Sequence, residues 1–329
     1  MFKVAFAGFR HGHIFTLYNW IKESDNAMIT GGFEPDAAAR EAAVERAGVD
    51  FVYDTYEQLL SDDSVDIVAI GDCYGKRGAE IIKALTAGKH VIADKPLCTS
   101  LEELYEIRRL AEEKNLKVSG MYDLRCTYSV NKAREIVSQG LLGEVHNVGF
   151  TGQHALDYGK RTSWFFEEGM HGGTINDIAI HGMDLVRMIT GKELVKVHGA
   201  RCWNAFAKEE KHFKDSAQFI VEMTGGMGVM ADVSYAKPVC SYPINSIWRF
   251  SFWGEKGMLE FSMKDDKVFL ALDKSEEPQI FEGTCNEPNP FEQFLLDING
   301  TPTSHDTYSA LKSAEAVLTI QKFADEHGG

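Results

Sequence analysis

Three side chains at fixed spacing, Asp177, His181 and Asp184, concentrate the most chemistry in the least chain. On a helix Asp177 and His181 are i,i+4 neighbours and Asp184 stands one turn further, so all three project from nearly one face and build a polar site. A neutral imidazole titrates near working pH and can take a proton from a hydroxyl, while a carboxylate beside it orients the ring or the hydroxyl. The same spacing also makes a plain helix-surface salt bridge. Asp, His and Asp are metal-ligand types as well, but no fourth ligand stands at a fixed spacing, and no metal is expected.

A second group lies near the start. The apolar run Val4 to Ala7 leads into Gly8-Phe9-Arg10-His11-Gly12-His13 and then into helical composition, the place where a glycine-rich turn presents backbone N–H groups to a pyrophosphate. Arg10 and His13 stand where the second and third glycines of GxGxxG belong, so the string reads equally as a tight turn that binds nothing. Glu34 closes the second apolar run. There a carboxylate accepts both ribose hydroxyls of adenosine and repels a 2′-phosphate, favouring NAD over NADP, although Arg10 can partly offset that repulsion. The alternative for Glu34 is a solvated turn residue before Pro35.

These residues need a scaffold. From Phe2 to about Val118 short apolar runs (Val4–Ala7, Met28–Phe33, Val65–Ile70, His90–Ala93, Lys117–Val118) alternate with helical stretches (Ala37–Ala47, Lys76–Ala87, Ser100–Lys114), the pattern of a doubly wound parallel sheet. Leu101, Leu104, Ile107 and Leu110 form one stripe, and Ser100 with Glu103 reads as a capping box. After a helix at Ser129–Gln139 the rhythm changes. Strands are expected at Val145–Gly152, Val195–Trp203, Ser216–Thr224, Gly228–Tyr235, Ser246–Trp253, Met258–Phe261 and Val268–Leu272, with a helix at Ile178–Thr190 and a last one at Asp306–Glu326. The expectation is an α/β Rossmann domain over 1–122 and an α+β domain with a large, mainly antiparallel open sheet over 123–329.

Composition bounds the partners. With 329 residues, 44% hydrophobic and 25% charged, the chain can bury two ordinary cores. Its net charge of −15 repels phosphate backbones and anionic membranes, so neither nucleic acid nor membrane is an expected partner, whereas a small anionic cofactor in a local pocket is compatible. The six cysteines (Cys73, Cys98, Cys126, Cys202, Cys240, Cys285) form no CxxC pair and no zinc-finger spacing. The apolar start is broken at Arg10, His11 and His13, and no run approaches the roughly 18 apolar residues of a membrane helix. A reduced, cytoplasmic protein is expected.

Three ordered blocks carry a family resemblance. Ala84-Leu-Thr-Ala-Gly-Lys-His-Val-Ile-Ala-Asp-Lys-Pro-Leu97 resembles the AL-x-AGKHV-x-x-EKP-L segment of the Gfo/Idh/MocA oxidoreductases. Val137-Ser-Gln-Gly-Leu-Leu-Gly-Glu-Val145 is similar to that family's entry to its second domain, and Gly172 to Asp184 resembles its GG-x-x-x-D-x-x-x-H-x-x-D motif. The resemblance covers residues 1 to about 190. It implies that Lys95 lies between nicotinamide and substrate, that the Lys95–Pro96 bond is cis, and that Asp177 and His181 are the catalytic acidic residue and histidine. It sets Gly8 to His13, Glu34, Asp72, Lys95 and Pro96 beside the cofactor. The chain departs from the pattern with Asp94 for Glu, and with Asp72-Cys73-Tyr74-Gly75-Lys76-Arg77 where the family carries a TP-N-x-x-H string.

What this implies is NAD(P)-dependent hydride transfer at a secondary hydroxyl or carbonyl of a sugar, polyol or related compound, with NAD the favoured cofactor. His181 would serve as base, Lys95 would hydrogen-bond the reacting oxygen, and Asp177 would orient the hydroxyl or the ring. The stretch Gln153–Phe165 reads as a specificity loop in which His154, Arg161 and Trp164 meet substrate; core packing for Trp164 and solvation for Arg161 are the alternatives. Two other functions fit the same resemblance: a glycosidase that oxidises transiently and eliminates, and a noncatalytic dinucleotide sensor. An exposed sheet face in the second domain would make a homodimer or homotetramer interface.

Overall fold

In the computed structural model of the chain, residues 1–237, 248–263 and 265–327 are described. They form two compact units. Cys240 and the first residues of the strand expected from Ser246 lie outside the described residues.

The first unit contains residues 1–121, Gly169–Gly172 and Pro288–Ala314. Its strands β1 (Phe2–Ala7), β2 (Ala27–Phe33), β3 (Ile67–Ile70), β4 (His90–Ala93) and β5 (Val118–Gly120) alternate with helices α1 (Ile14–Glu23), α2 (Ala37–Ala47), α3 (Tyr56–Ser61), α4 (Tyr74–Thr86) and α5 (Leu101–Lys114). All strands pair in parallel, in the order β2-β1-β3-β4-β5. Ile67 to Ile70 are fully buried, as an apolar run covered on both faces should be. The helices begin and end where local chemistry dictates. Asp36 accepts from the Ala39 N–H, Ser100 accepts from the Glu103 N–H, and Gly48 closes α2 with φ 66°. The Glu103 carboxylate in turn accepts from Thr99 N–H.

In the second unit, α6 (Tyr128–Ser138), β6 (Val145–Gln153) and α7 (Ile180–Thr190) precede the strands β7 (Leu194–Trp203), β8 (Ser216–Met223), β9 (Met227–Ser234), β10 (Trp248–Gly254), β11 (Gly257–Ser262), β12 (Lys267–Leu272) and β13 (Gln279–Glu282). The eight strands lie in the order β13-β12-β11-β10-β6-β9-β8-β7. Every pair is antiparallel except β6 with β9, which run in parallel. One sheet face carries Phe150, Phe219, Val229, Phe250, Phe252 and Leu259, all buried. Helix α7 packs on it through Gly182, where a Cβ would stand 2.2 Å from the Phe150 ring.

Two helices follow, α8 (Pro290–Ile298) and α9 (Thr307–His327). Phe291, Phe294 and Leu295 of α8 join the first unit's core with Phe6, Leu17 and Ile21. Buried aromatic surface decides that placement, since such side chains carry much of a core's burial.

Candidate active site

Strand order makes a crevice in the first unit. With β2 on one side of β1 and β3 on the other, the C-terminal ends of β1 and β3 form a topological switch point, where α/β sheets bind ligands. The turns leaving these strands press together. Gly8 has φ 81°, and a Cβ on it would stand 2.6 Å from the Asp72 nitrogen, so no other residue fits without movement. Arg10 and His11 both donate their N–H to the Gly71 carbonyl, at 3.0 and 3.1 Å.

Glu34 is buried at the end of β2, and its two oxygens accept from Phe9 N–H at 2.6 Å and Asp36 N–H at 2.8 Å. Burial raises its carboxyl above the usual range, partly offset by those N–H donors. Arg10 pairs with Asp36 at 3.5 Å. The amides of Phe9, Arg10 and His11 are thus committed inside the fold, and α1 begins after them without a side-chain cap. Gly12 has open space where a Cβ would be. A close backbone approach, an uncapped helix start and a buried acid after the second strand fit a dinucleotide.

Beside the crevice stands Lys95, nearly buried, with a cis bond to Pro96 as expected. Asp94, fully buried, takes His11 Nδ1 at 2.5 Å on one oxygen and His13 Nδ1 at 3.1 Å on the other. Tyr74, also fully buried, meets His11 Nε2 through its hydroxyl at 2.9 Å. Arg77 donates to the Asp72 and Pro96 carbonyls and reaches to 3.5 Å from Asp94. Burial pushes the His11 imidazole down to about 4, so the ring is neutral. Burial alone would raise Asp94, but His11, His13 and Arg77 together hold it well below the usual carboxylate range. His171, on the Gly169–Gly172 segment of this unit, lies against Tyr74 with ring centroids 5.8 Å apart.

His11, His13 and Asp94 also place three ligand-type atoms within 4.8 Å of one another. A hydrogen-bonded array explains them better. Both imidazoles hydrogen-bond the Asp94 carboxylate, and the buried Arg77 already supplies a cation 3.5 Å from it.

In the second unit the expected helix starts early, as a π-helical turn over Ile175–Ala179 that runs into α7. Single π-turns inside helices recur at functional sites. Gly173, with φ 96°, leaves room for Gln321: a Cβ there would lie 2.2 Å from the Gln321 side chain, which accepts from Ile175 N–H at 3.0 Å. The glycine thus lets α9 cap the turn that carries Asp177. Asp177 and His181 are both nearly buried, and the Tyr235 hydroxyl donates to Asp177. The His181 and His154 rings each meet Trp248 edge-on, at 5.7 and 5.6 Å.

Asp184 is paired with an arginine. Its carboxylate takes the Arg125 guanidinium on both oxygens, Nε at 2.7 Å and Nη2 on the other, with both side chains buried. Trp164, expected at substrate, is 1% exposed and packs on Phe165 at 4.3 Å. Arg161 turns inward: it donates to the Leu156 and Ala155 carbonyls, both at 2.7 Å, and lies over Phe165, so it braces its own loop. Sequence reasoning missed Tyr235, Trp248, Gln321 and Arg125. Of these, Tyr235 and Trp248, aromatics within expected strands, left a local signal.

Comparison with known proteins agrees with this architecture. Residues 2–122 match the model of the oxidoreductase family's NAD-binding Rossmann fold, and residues 130–260 match the GFO/IDH/MocA C-terminal domain. A D-xylose dehydrogenase of Paenarthrobacter nicotinovorans is 26% identical over 69% of this chain, and a levoglucosan dehydrogenase of Pseudarthrobacter phenanthrenivorans is 27% identical over 48%. The chain spans 61% and 41% of those two relatives. An inositol dehydrogenase homolog of Azotobacter vinelandii, solved with NADH and myo-inositol, shares the fold with a TM-score of 0.82 at 20% identity, covering 100% of this chain and 96% of that one. Among the described residues no helix is long and apolar enough to cross a membrane. With a parallel NAD-binding Rossmann domain followed by the family's large, mostly antiparallel sheet, the chain belongs to the Gfo/Idh/MocA family of oxidoreductases.

Proposed function

We propose that the protein is an NAD-dependent dehydrogenase that moves a hydride between nicotinamide and a secondary hydroxyl or carbonyl of a sugar, polyol or related compound. The names of its relatives support the substrate class: D-xylose and levoglucosan dehydrogenases, and an inositol dehydrogenase homolog crystallised with myo-inositol. When bound, NAD supplies the hydride acceptor at nicotinamide C4; orientation and proton handling fall to the protein. His181 takes the hydroxyl proton as the C–H pair leaves with its electrons. Lys95 donates to the reacting oxygen and steadies negative charge on it. Asp177, held by Tyr235, orients the hydroxyl or the imidazole, and His154 contributes to the substrate pocket. Glu34 selects NAD over NADP by repelling a 2′-phosphate.

The observation that carries this reading is the burial of Asp177 and His181 side by side with a tyrosine hydroxyl on the carboxylate. Burying ionisable groups costs stability, and such groups concentrate at functional sites. The test is a panel of pentoses, hexoses, inositols, anhydrosugars and sugar acids incubated with enzyme and NAD, read as NADH absorbance, with His181→Ala and Lys95→Ala as controls. Turnover at least ~100-fold lower in both variants is expected for loss of acid–base and electrostatic catalysis. No turnover with any oxidised or reduced pair refutes the reading. NADP binding as tight as NAD would overturn the role of Glu34.

A further inference from the structure

The two places where this chain departs from the family pattern, the turn around Arg10 to His13 and the segment Asp72 to Arg77, meet in the fold at one residue, Asp94, itself the third departure. From the resulting geometry we propose that His11, His13, Tyr74 and Arg77 are positioning residues for Lys95, gripping Asp94 and Pro96 on either side of it and so setting where its ammonium group stands and how firmly it holds its proton. The inference rests on the role proposed above for Lys95.

The grip is continuous. Tyr74 O–H meets His11 Nε2 at 2.9 Å, His11 Nδ1 meets Asp94 at 2.5 Å, and His13 Nδ1 meets the other Asp94 oxygen at 3.1 Å. An ionised Asp94 only accepts, so both imidazoles present Nδ1–H to it, and the neutral His11 ring then accepts the Tyr74 proton donor at Nε2. Asp94 thereby fixes the tautomer of His11, as a carboxylate bonded to a ring nitrogen does elsewhere. On the far side of Lys95, Arg77 Nη1 donates to the Pro96 carbonyl at 3.1 Å, while Arg77 Nε holds the Asp72 carbonyl at 2.8 Å. Both neighbours of Lys95 are therefore fixed from one cluster, and the Lys95 ammonium lies 6.0 Å from the Tyr74 ring centroid.

Electrostatics follows from the same contacts. Asp94 is adjacent in sequence to Lys95 and would stabilise the ammonium form if its charge were left uncompensated. Arg77 offsets that charge and two N–H donors solvate it instead, in a buried setting where a charge is felt strongly. Removing a donor returns part of that negative charge to Lys95 and strengthens its hold on its proton.

The test compares His11→Leu and His13→Leu with His11→Asn and His13→Asn, because the asparagine side-chain nitrogen can donate close to where Nδ1 stands. Lys95 is followed by competitive labelling of the intact chain with acetic anhydride across pH, read by mass spectrometry, with no cofactor or substrate present. The leucine variants should move the Lys95 labelling midpoint upward by about one pH unit and the asparagine variants should restore it; where the NAD assay shows turnover at saturating NAD, kcat should fall about tenfold. Tyr74→Phe, which removes only the hydroxyl on His11, should move the midpoint in the same direction and serves if a leucine variant does not fold. A midpoint that stays put in the leucine and Tyr74→Phe variants overturns the proposal, as does equal loss in leucine and asparagine variants. Stoichiometric binding of Zn²⁺ or Ni²⁺ to the wild type, abolished by both leucine substitutions, would make the cluster a metal site instead. A moved midpoint in a protein that turns over nothing in the sugar panel refutes the dehydrogenase reading alone.

Discussion

Asp184 sits in the same motif as Asp177 and His181, yet its contacts predict a different consequence when it is changed. Asp184 and Arg125 are 1% exposed each and form a two-pronged ion pair, and the Arg125 guanidinium also lies 4.8 Å from the Tyr122 ring centroid. Asp184→Asn keeps the shape and removes the charge, leaving a buried guanidinium without its counter-ion. Breaking a buried pair in this way costs about 3–5 kcal/mol, whereas replacing both partners by apolar groups is often neutral. Against a total stability of about 5–15 kcal/mol, the single variant should unfold at markedly lower urea. Arg125→Met with Asp184→Leu should recover most of the loss. Urea unfolding followed by tryptophan fluorescence supplies the cycle, and in the folded fraction NADH formation should change less than about threefold, because both Asp184 oxygens are engaged by Arg125. Wild-type stability in Asp184→Asn, with turnover down by about 100-fold, would refute this argument and return Asp184 to the chemistry.

Gly182→Ala should destabilise by about 1–3 kcal/mol, since its Cβ would meet the Phe150 ring at 2.2 Å, and Phe150→Leu in the same chain should restore part of the melting temperature; an unshifted Tm would disprove the close packing of α7 on the sheet. Glu80 is raised to about 9 by burial and by its contact with Asp72, so it keeps its proton folded and loses it unfolded above the ordinary value of 4.5. Stability should therefore be complete below that value and fall by about 1 kcal/mol per pH unit up to the folded value, a slope that Glu80→Gln removes; parallel curves for the two proteins would contradict it. Across the open face of the second sheet, Ile220, Met230, Phe269 and Ile280 are exposed and lie in one register row. Light scattering should show a homodimer or tetramer of the 36.7 kDa chain, made monomeric by Ile220→Lys with Met230→Glu, and a monomeric wild type would refute the interface.

What the sequence disclosed follows from range. The strands of the first unit are local apolar runs buried on both faces, so their own residues announce them. By contrast β13 is exposed along most of its length at a sheet edge and has no buried alternation to read. Helix α8 is nine residues long, with Pro290 in its first turn, and its destination is set by aromatic side chains that find Phe6 and Leu17 from nearly three hundred residues away. In the site, the spacing of Asp177 and His181 was legible because both lie on one helix. The partners that decide their chemistry were not: Tyr235 reaches Asp177 across 58 positions and Arg125 reaches Asp184 across 59. Trp164 and Arg161 looked like substrate contacts because their types suit sugars and anions, but burial and backbone carbonyls claim them first.

The departures from the family pattern show the same limit in another form. Arg10, His13, Asp94 and the segment Asp72 to Arg77 lie at separate places in the sequence, where each looks like the loss of an expected glycine, glutamate or histidine. In space they complement one another. The Asp94 carboxylate receives both histidines, the segment after β3 supplies Tyr74 for His11 and Arg77 for Asp94 and Pro96, and Arg10 finds Asp36. A buried carboxylate without these donors would carry a large desolvation cost, so Asp94 depends on the residues gathered around it. The substitutions thus form one interdependent unit, and restoring a single family residue within it would break an arrangement rather than repair one.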